Sequence, residues 1–259
     1  MKVQRHRKIQ QLLREHGTAS VEFLASALGV SDMTVRRDLQ QLADEDRVVR
    51  THGGAAPAEQ VLFEFPFLRH AEQNREQKRR IAARAATLIE NGQSLMLDSG
   101  TTTLALARHL SQYKRLTVIT TSLPIAAALQ VSGGVELILL GGIVRRDAAD
   151  LEGPLTEANL EAFHADLAFV GADGIGLDGS VYNASLTVGR MLTKMTQRAS
   201  GVYVVADSSK IGKPALLRFG NVSHWRGLIT DAGLPAADRA ALEDAGVHVI
   251  IADEAEGGR

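Results

Sequence analysis

The chain has 259 residues and no cysteine, and its 29 Lys and Arg against 30 Asp and Glu give a formal net charge of −1. The lack of cysteine excludes disulfide bonds and thiolate metal sites and suits a reducing cytoplasm, where we expect the protein. No apolar run approaches the ~20 residues of a membrane-spanning helix, and no apolar stretch follows the basic start MKVQRHRKIQ. We therefore expect neither a membrane partner nor a secretory signal.

Positive charge is concentrated near the start of the chain, although the net charge alone argues against a nucleic-acid-binding protein. The basic residues before the first acidic residue, Glu15, are Lys2, Arg5, Arg7, Lys8 and Arg14. Further arginines follow at Arg36, Arg37, Arg47 and Arg50. A small N-terminal domain with this pattern can present its cations to phosphate, but charge alone equally suits solvated helix faces.

Residues 1–57 predict three helices followed by a β-hairpin. The first helix, from residue 5 to about 16, carries Ile9, Leu12 and Leu13 on one face. Ser20 and Ser31 are suited to cap the second and third helices, and Gly29 breaks the chain between them. The run RVVRTHGGAAP that follows predicts a two-stranded wing, so the segment reads as a winged helix-turn-helix domain, mainly α.

The third helix has the chemistry of a DNA-reading element. Val35, Leu39 and Leu42 define its buried side, whereas the opposite side is polar or cationic. Arginine can bond guanine in a bidentate manner, and glutamine can bond adenine. The predicted DNA-binding residues are Ser31, Met33, Thr34, Arg36, Arg37, Gln40, and on the wing Arg50 and His52. The alternative is a generic three-helix packing unit.

Residues 58–74 are predicted to form a linker with some local structure, because the stretch around Pro66 is rich in Glu, Gln and Arg. A helix from about 75 to 90 then opens an effector-sensing α/β domain that we place at 75–259. Seven short apolar runs follow, at 94–98, 116–120, 135–140, 167–170, 202–206, 227–230 and 247–251. Helical segments separate most of these runs, which predicts a mainly parallel sheet covered on both faces.

Polar loops follow five of these predicted strands and predict a binding site, because the carboxyl ends of parallel strands share one edge of the sheet. In the loop DSGTTT, hydroxyls lie beside the free N–H groups that start the next helix, which suits phosphate. A threonine-rich helix cap without a ligand is the alternative. The predicted effector-binding residues are Asp98, Ser99, Gly100, Thr101, Thr102, Thr103, Thr121, Ser122, Gly141, Gly142, Asp173, Gly174 and Lys210.

The stretch SDMTVRRDLQQLADEDRVVRTHGGA resembles the helix-turn-helix signature of the DeoR family of transcriptional regulators. The matching positions are Thr34, Val35, Arg36, Arg37, Asp38, Leu39, Arg50, His52, Gly53 and Gly54. Residues 74–231 resemble the DeoR-type sensor domain through KRRIAARAATLIENGQSLMLDSGTTT, LLGG, FVGADGI and ADSSKIG. One departure is Asp46, where the family usually has a glycine between the recognition helix and the wing.

The resemblance implies a repressor of a carbohydrate operon that is relieved by a phosphorylated sugar, with a sensor fold related to ribose-5-phosphate isomerase. It also implies a homo-oligomer, dimer or tetramer, that binds a double-stranded DNA operator, since half-sites are read in pairs. Thr121, Arg190 and Leu192 depart from the family pattern near the predicted site. The identity of the effector therefore does not follow from any relative.

A sugar-phosphate isomerase with an added DNA-binding domain is the main alternative. Such an enzyme needs an acid or base pair in the loop GADG and a lysine soon after it. Asp173 is present, but Gly174 stands where a second acid is expected, and no lysine occurs between Asp173 and Lys194. We therefore expect binding without turnover and no catalytic residue.

Cofactor and metal chemistry are not indicated. Neither of the two glycine-rich nucleotide-binding motifs follows a predicted strand, and the eight histidines are scattered, with no pair four residues apart beside a glutamate. We expect no cofactor and no metal.

Overall fold

The computed structural model describes residues 2–45, 47–51, 53–57, 65–145 and 148–252. The chain divides into two compact units, Met1–Phe65 and Pro66–Arg259. The boundaries that the sequence predicts for the two domains and their linker remain a prediction. No helix within the described ranges is long and apolar enough to cross a membrane.

Within its described residues, the first unit contains three helices and a small antiparallel sheet. The helices are α1 (Lys2–His16), α2 (Val21–Leu28) and α3 (Asp32–Asp44), and the strands are β1 (Ala19–Ser20), β2 (Val48–Thr51) and β3 (Gly54–Pro57). The strand order is β1-β3-β2, with Thr51 opposite Gly54 at the turn of the wing. The predicted wing is therefore present, and β1 adds a third strand that the sequence did not indicate.

Local capping explains where the helices of the first unit begin and end. Ser20 Oγ accepts a hydrogen bond from the Phe23 N–H (3.1 Å), and Ser31 Oγ accepts one from the Thr34 N–H (3.4 Å). Gly29 adopts the left-handed conformation (φ +63°) that ends α2, where a side chain would be strained. These three predictions are confirmed. The apolar core beneath the caps consists of Ile9, Leu12, Leu13, Ala19, Val21, Leu24, Ala25, Val35, Leu39, Leu42, Val48 and Ala55.

The helices of the second unit alternate with parallel strands. Its helices are α4 (Phe65–Glu72), α5 (Arg75–Ala86), α6 (Thr101–Ala107), α7 (Leu123–Leu129), α8 (Pro154–Glu161), α9 (Leu186–Gln197) and α10 (Ala236–Asp244). The strands of its main sheet are β4 (Ser94–Leu97), β5 (Leu116–Thr120), β6 (Val135–Leu139), β9 (Ala165–Val170), β12 (Ala199–Val205), β14 (Gly227–Thr230) and β15 (Val249–Ile251). The helix predicted at 75–90 is shorter than expected, since α5 ends at Ala86.

The main sheet is wholly parallel, with strand order β15-β14-β12-β9-β4-β5-β6. All seven apolar runs of the sequence are strands of this sheet, so the predicted architecture is confirmed. Both faces are covered. On β4, for example, Leu95 and Leu97 join one apolar cluster and Met96 joins the other. The alternation of side chains across the sheet thus explains why the runs are continuously apolar.

Two antiparallel elements in the second unit were not predicted. Strands β7 (Ile143–Arg145) and β8 (Asp150–Glu152) form a hairpin, and β10 (Gly174–Ile175), β11 (Ser180–Asn183) and β13 (Leu217–Asn221) form a three-stranded sheet. These strands are short, and all except β11 contain glycine or charged residues, so they lack the apolar pattern that identified the main sheet. The hairpin lies against the end of β5, where Ser122 and Asp150 form a bridge.

Candidate nucleic-acid interface and sheet-edge cavity

The outer face of α3 is accessible, as the sequence predicts. Met33 is 67% exposed, and Ser31, Arg36, Arg37 and Gln40 are also exposed. Thr34 is half-buried and its hydroxyl lies 3.0 Å from Ser31 Oγ. Val35, Leu39 and Leu42 on the opposite face are fully buried, so α3 has one packed side and one side free to approach DNA.

Arg50 connects the wing to α3. Its Nη1 donates to Gln40 Oε1 and to the Arg36 carbonyl, both at 3.4 Å. Gln40 in turn donates to Asp44 Oδ1 (2.9 Å). Arg50 is thus half-buried beside the helix, where it can orient Gln40 as well as meet a phosphate. The predicted wing residue His52 lies outside the described residues, as does Asp46.

Arg5 has a structural partner that the sequence did not indicate. Its guanidinium donates to both carboxylate oxygens of Asp38, with Nη2 to Oδ1 at 3.1 Å, and His6 Nε2 lies 3.1 Å from Oδ1. Burial raises the pKa of Asp38, but the hydrogen bonds from Arg5 and His6 outweigh burial and hold that pKa below its usual value. The sequence left open whether Arg5 faces phosphate or solvent, and in the structure its guanidinium is paired with Asp38 of α3.

In the second unit, a cavity of about 230 Å³ opens at the carboxyl edge of the sheet, and we call it the sheet-edge cavity. It brings together four of the predicted effector-binding residues, which are Thr101, Thr102, Asp173 and Lys210. Further lining side chains that the sequence did not single out are Phe67, His70, Gln73, Asn74, Lys78, Asp207 and Ser209. The cavity therefore combines cations, hydroxyls and amides, which can bind an anion, with carboxylates, which can accept hydrogen bonds from ligand hydroxyls.

Lys78 is the most informative of the residues that the sequence missed. It is only 9% exposed, and its Nζ donates to the His70 carbonyl of α4. Burial lowers the pKa of Lys78, and nearby Lys210 lowers it further, whereas Asp207 opposes that shift. Lys78 precedes Ile81 and Ala85 by three and seven residues, which places it on the apolar face of α5. A lysine at such a position was the signal available in the sequence.

Asn74 and Asp207 hold the loop that carries Lys210. Asn74, in the left-handed conformation (φ +52°), donates from Nδ2 to Asp207 Oδ1 (3.0 Å) and to Ser209 Oγ (3.3 Å). Asp207 also accepts from the Ser209 N–H (3.2 Å) and caps the short 3₁₀ turn Ser208–Lys210. The start of α5 and the end of β12 are thus joined at the cavity.

Asp98 does not line the sheet-edge cavity and is only 5% exposed. Its carboxylate accepts from the Ser99 N–H (2.6 Å) and from the Gly171 N–H (3.0 Å). Burial, which outweighs these two hydrogen bonds, raises the pKa of Asp98 to about 6. Ser99 donates to Asp150, which Arg145 holds with two hydrogen bonds of 2.9 and 2.7 Å. Asp98 thus joins the loops that follow β4 and β9, and Ser99 joins the first of these loops to Asp150 of the hairpin.

Asp173 is exposed at the cavity, and its Oδ2 accepts a hydrogen bond from the Ala184 N–H (2.9 Å). The other carboxylate oxygen has no hydrogen bond among the described residues, so it can accept one from a ligand hydroxyl. Gly174 follows in β10, where a Cβ would lie 2.1 Å from the Lys213 carbonyl oxygen. Close backbone packing thus accounts for this glycine.

Three predicted effector-binding residues, Thr103, Thr121 and Ser122, lie outside the sheet-edge cavity, and two of them have internal hydrogen-bond partners. The Thr103 hydroxyl donates to the carbonyls of Asp98 and Gly100, at 2.6 and 2.7 Å. Ser122 Oγ caps α7 by accepting from the Ile125 N–H (3.3 Å). Thr121 is fully buried, and its hydroxyl has no hydrogen-bond partner in the described part of the chain. None of these residues lines the sheet-edge cavity.

The two glycines after β6 also lie apart from the sheet-edge cavity. Gly141 is exposed, and its carbonyl accepts from Thr156 Oγ1 (2.9 Å). A Cβ on Gly142 would lie 1.9 Å from Thr156 Oγ1 and 2.7 Å from the Glu152 carbonyl oxygen. Gly142 is thus needed so that the hairpin and α8 can pack closely. Whether any predicted effector-binding residue contacts a ligand stays a prediction.

A winged helix-turn-helix unit with an open recognition face, followed by an α/β unit with a polar sheet-edge cavity, defines a ligand-responsive DNA-binding regulator. Comparison with family models agrees with this class. Residues 5–61 match the DeoR-like helix-turn-helix domain, and residues 73–232 match the DeoR C terminal sensor domain. The chain belongs to the DeoR family of transcriptional regulators.

Curated relatives align along nearly the whole chain. The HTH-type transcriptional regulator GlpR of Haloferax volcanii is 35% identical over 95% of this chain and 96% of its own. The Glycerol-3-phosphate regulon repressor of Escherichia coli (strain K12) is 34% identical over 93% of this chain and 95% of its own. Both are regulators, which supports a regulator and not the alternative of an isomerase.

Among solved structures, ribose 5-phosphate isomerase A from Methanocaldococcus jannaschii is similar to part of the chain. The match has a TM-score of 0.40 and 18% sequence identity, and it covers 53% of this chain and 55% of the other.

Proposed function

We propose that the chain is a repressor of a carbohydrate operon, released from its operator by a phosphorylated sugar that binds in the sheet-edge cavity. The observation that carries the proposal is the pairing of Lys78 and Lys210 with the hydroxyl-bearing residues Thr101 and Thr102 in one cavity. Ammonium groups and hydroxyls are the donors that bind phosphate oxygens. Lys78 Nζ makes one hydrogen bond among the described residues, to the His70 carbonyl, which leaves donors of this ammonium group for an anionic ligand.

The remaining lining residues suit the sugar. Asp173 and Asp207 can accept hydrogen bonds from sugar hydroxyls, and Gln73 can both donate and accept. Apolar surface from Phe67 can pack against the carbon skeleton. We thus assign the phosphate to the two lysines and two threonines, and the sugar hydroxyls to the carboxylates and amide.

On the DNA side, we propose that Arg37 and its exposed neighbours on α3 read the major groove. Helix-turn-helix proteins usually read two half-sites, so we propose that the repressor acts as a homo-oligomer of at least two copies in the cytoplasm. The name of the Escherichia coli relative supports a phosphorylated ligand of low mass as the class of effector.

Ligand binding can be coupled to DNA release only if the ligand binds the two states differently. Lys78 offers such a difference, because its Nζ donates to the His70 carbonyl of α4, the helix that follows the first unit in the chain. A phosphate in the cavity competes for that ammonium group. We propose that this competition changes how firmly α4 is held on α5.

A thermal-shift screen against phosphorylated sugars tests the proposal, since a ligand that binds the folded state raises the melting temperature. Inorganic phosphate and the unphosphorylated sugars are the reference compounds. We expect a positive shift for at least one sugar phosphate, its loss in Lys210→Ala, and its retention in the matched control Lys114→Ala, an exposed lysine away from the cavity. A shift that survives in Lys210→Ala would contradict the assignment.

A further inference from the structure

A second cavity, of about 600 Å³, adjoins the sheet-edge cavity, and we call it the helix groove. The two cavities share the lining residues Phe67, Lys78 and Thr101. The rest of the helix groove is formed by α4, α5 and α6, away from the strand ends. A ligand held by Lys78 therefore has a second space beside it that the proposed phosphate site leaves unused.

The charged residues of the helix groove are mostly paired, with one exception. Arg75 pairs with Glu72 (3.5 Å), and Arg79 pairs with Glu76 (2.7 Å). Both carboxylates of the groove are thus engaged by arginines. Arg108 is exposed and forms no ion pair or side-chain hydrogen bond with any described residue. The groove thus offers a free guanidinium, which is a donor suited to a carboxylate or a phosphate.

Helix α6 sets the distance between Thr101 at the phosphate site and Arg108 in the helix groove. Thr101 begins this helix and lines both cavities, whereas Arg108 follows its last residue, Ala107. Seven residues at a rise of 1.5 Å place the two positions about 10 Å apart along the helix axis. Between them, Leu104 and Ala105 give the groove an apolar wall. The arrangement is a phosphate site and a second cation separated by an apolar surface.

We infer that the effector is a sugar phosphate with a second anionic group at its far end, and that Arg108 binds this group. The inference rests on the proposed function, because Lys78 and Lys210 anchor the first phosphate. The carbon skeleton crosses from one cavity to the other past Phe67 and Leu104. The second group is a phosphate or a carboxylate, both of which accept the two parallel hydrogen bonds that a guanidinium donates.

The test is titration calorimetry of the full chain with three probes that differ at the far end. Fructose 6-phosphate has one anionic group, fructose 1,6-bisphosphate has a second phosphate, and 6-phosphogluconate has a carboxylate. We expect at least one two-anion probe to bind about 10-fold more tightly than fructose 6-phosphate, the gain of one charge-assisted hydrogen-bonded pair. The probe with the larger gain identifies the second group.

Two variants locate the gain. Arg108→Ala should reduce the affinity for the favoured two-anion probe to that of fructose 6-phosphate and leave fructose 6-phosphate binding unchanged. The control Arg218→Ala removes an exposed arginine of β13 outside both cavities and should change neither affinity. Melting temperatures without ligand verify that both variants are folded, and Arg108→Lys should retain part of the gain.

The outcomes separate this inference from the proposed function. If fructose 6-phosphate binds and depends on Lys210 but no two-anion probe binds more tightly, the second anion site is wrong and the phosphate site stands. An Arg108→Ala variant that keeps the full gain also overturns the inference. If no probe binds the wild-type chain, neither the sugar-phosphate effector nor its second anionic group is supported, and both proposals fail.

Discussion

Arg5 on α1 makes a two-point hydrogen-bonded pair with Asp38 on α3, across 33 positions of the chain. Asp38 is 2% exposed, and it sits between the exposed Arg37 and the buried Leu39. The same turn of α3 therefore carries a side chain directed to solvent and one that fixes the helix to α1. A residue from the helix-turn-helix signature thus has a positioning role that its charge alone does not reveal.

Replacing Asp38 by alanine should destabilise the first unit. The change leaves the buried His6 without its partner and removes both acceptors of Arg5, so we expect a loss of about 1–3 kcal/mol. Chemical denaturation measured by circular dichroism gives this value. The matched control is Asp44→Asn, an exposed change on the same helix that should stay within about 0.5 kcal/mol. Equal stability of the two variants would refute the positioning role of Asp38.

Asp98 should make the stability of the second unit depend on pH. Its pKa of about 6 in the fold lies above the value of roughly 3.9 for an unfolded chain, so the folded state binds the proton more tightly. The stabilisation is complete below about pH 4 and is lost as the pH rises through about 6, by an amount on the order of 2–3 kcal/mol.

The variant Asp98→Asn isolates this effect, because asparagine does not titrate. The unfolding free energy of the wild type minus that of Asp98→Asn should fall by about 2–3 kcal/mol between pH 4 and pH 7. Carboxylates with lowered pKa values, such as Asp38, shift stability in the opposite direction in both proteins and cancel in the comparison. A difference that grows as the pH rises would show that the sign is wrong.

Gly142→Ala should lower the free energy of unfolding and leave the response to sugar phosphates unchanged. The added Cβ would clash with Thr156 Oγ1 and the Glu152 carbonyl, which costs about 1–3 kcal/mol in a packed region. In Gly133→Ala the new methyl group meets no atom within 4 Å, so thermal unfolding should be nearly unchanged. If Gly142→Ala kept its stability and lost the response to sugar phosphates, this glycine would belong to the effector site after all.

The main architecture could be predicted from the sequence because local signals specify it. Apolar runs such as the one at 116–120 are long enough to be recognised as buried strands, and Ser20, Gly29 and Ser31 mark helix ends through their own backbone chemistry. The DNA-facing side of α3 follows in the same way from the buried positions on its other side. These features depend on neighbours within a few residues.

The cavity could be predicted only in part, because its walls come from distant segments. Thr101, Asp173 and Lys210 follow strand ends, and the parallel topology predicts that they lie at one edge of the sheet. Lys78 lies on the apolar face of α5 but within a basic run, and its burial is seen only in the folded unit, where its Nζ donates to the His70 carbonyl. The contact of Asp150 with Ser99 likewise depends on the β7–β8 hairpin, whose strands are too short to be predicted from the sequence.

We propose that DNA reading and ligand sensing lie in separate units, and operator binding with and without a sugar phosphate tests this claim most directly. By fluorescence anisotropy on a DNA fragment selected by the wild type, Arg37→Ala should lose about 10-fold or more in affinity and reduce the salt dependence by about one ion, with ligand binding unchanged. Lys210→Ala should bind the fragment like the wild type and no longer be released by the ligand. Two variants that each lose both activities to the same extent would contradict the claim.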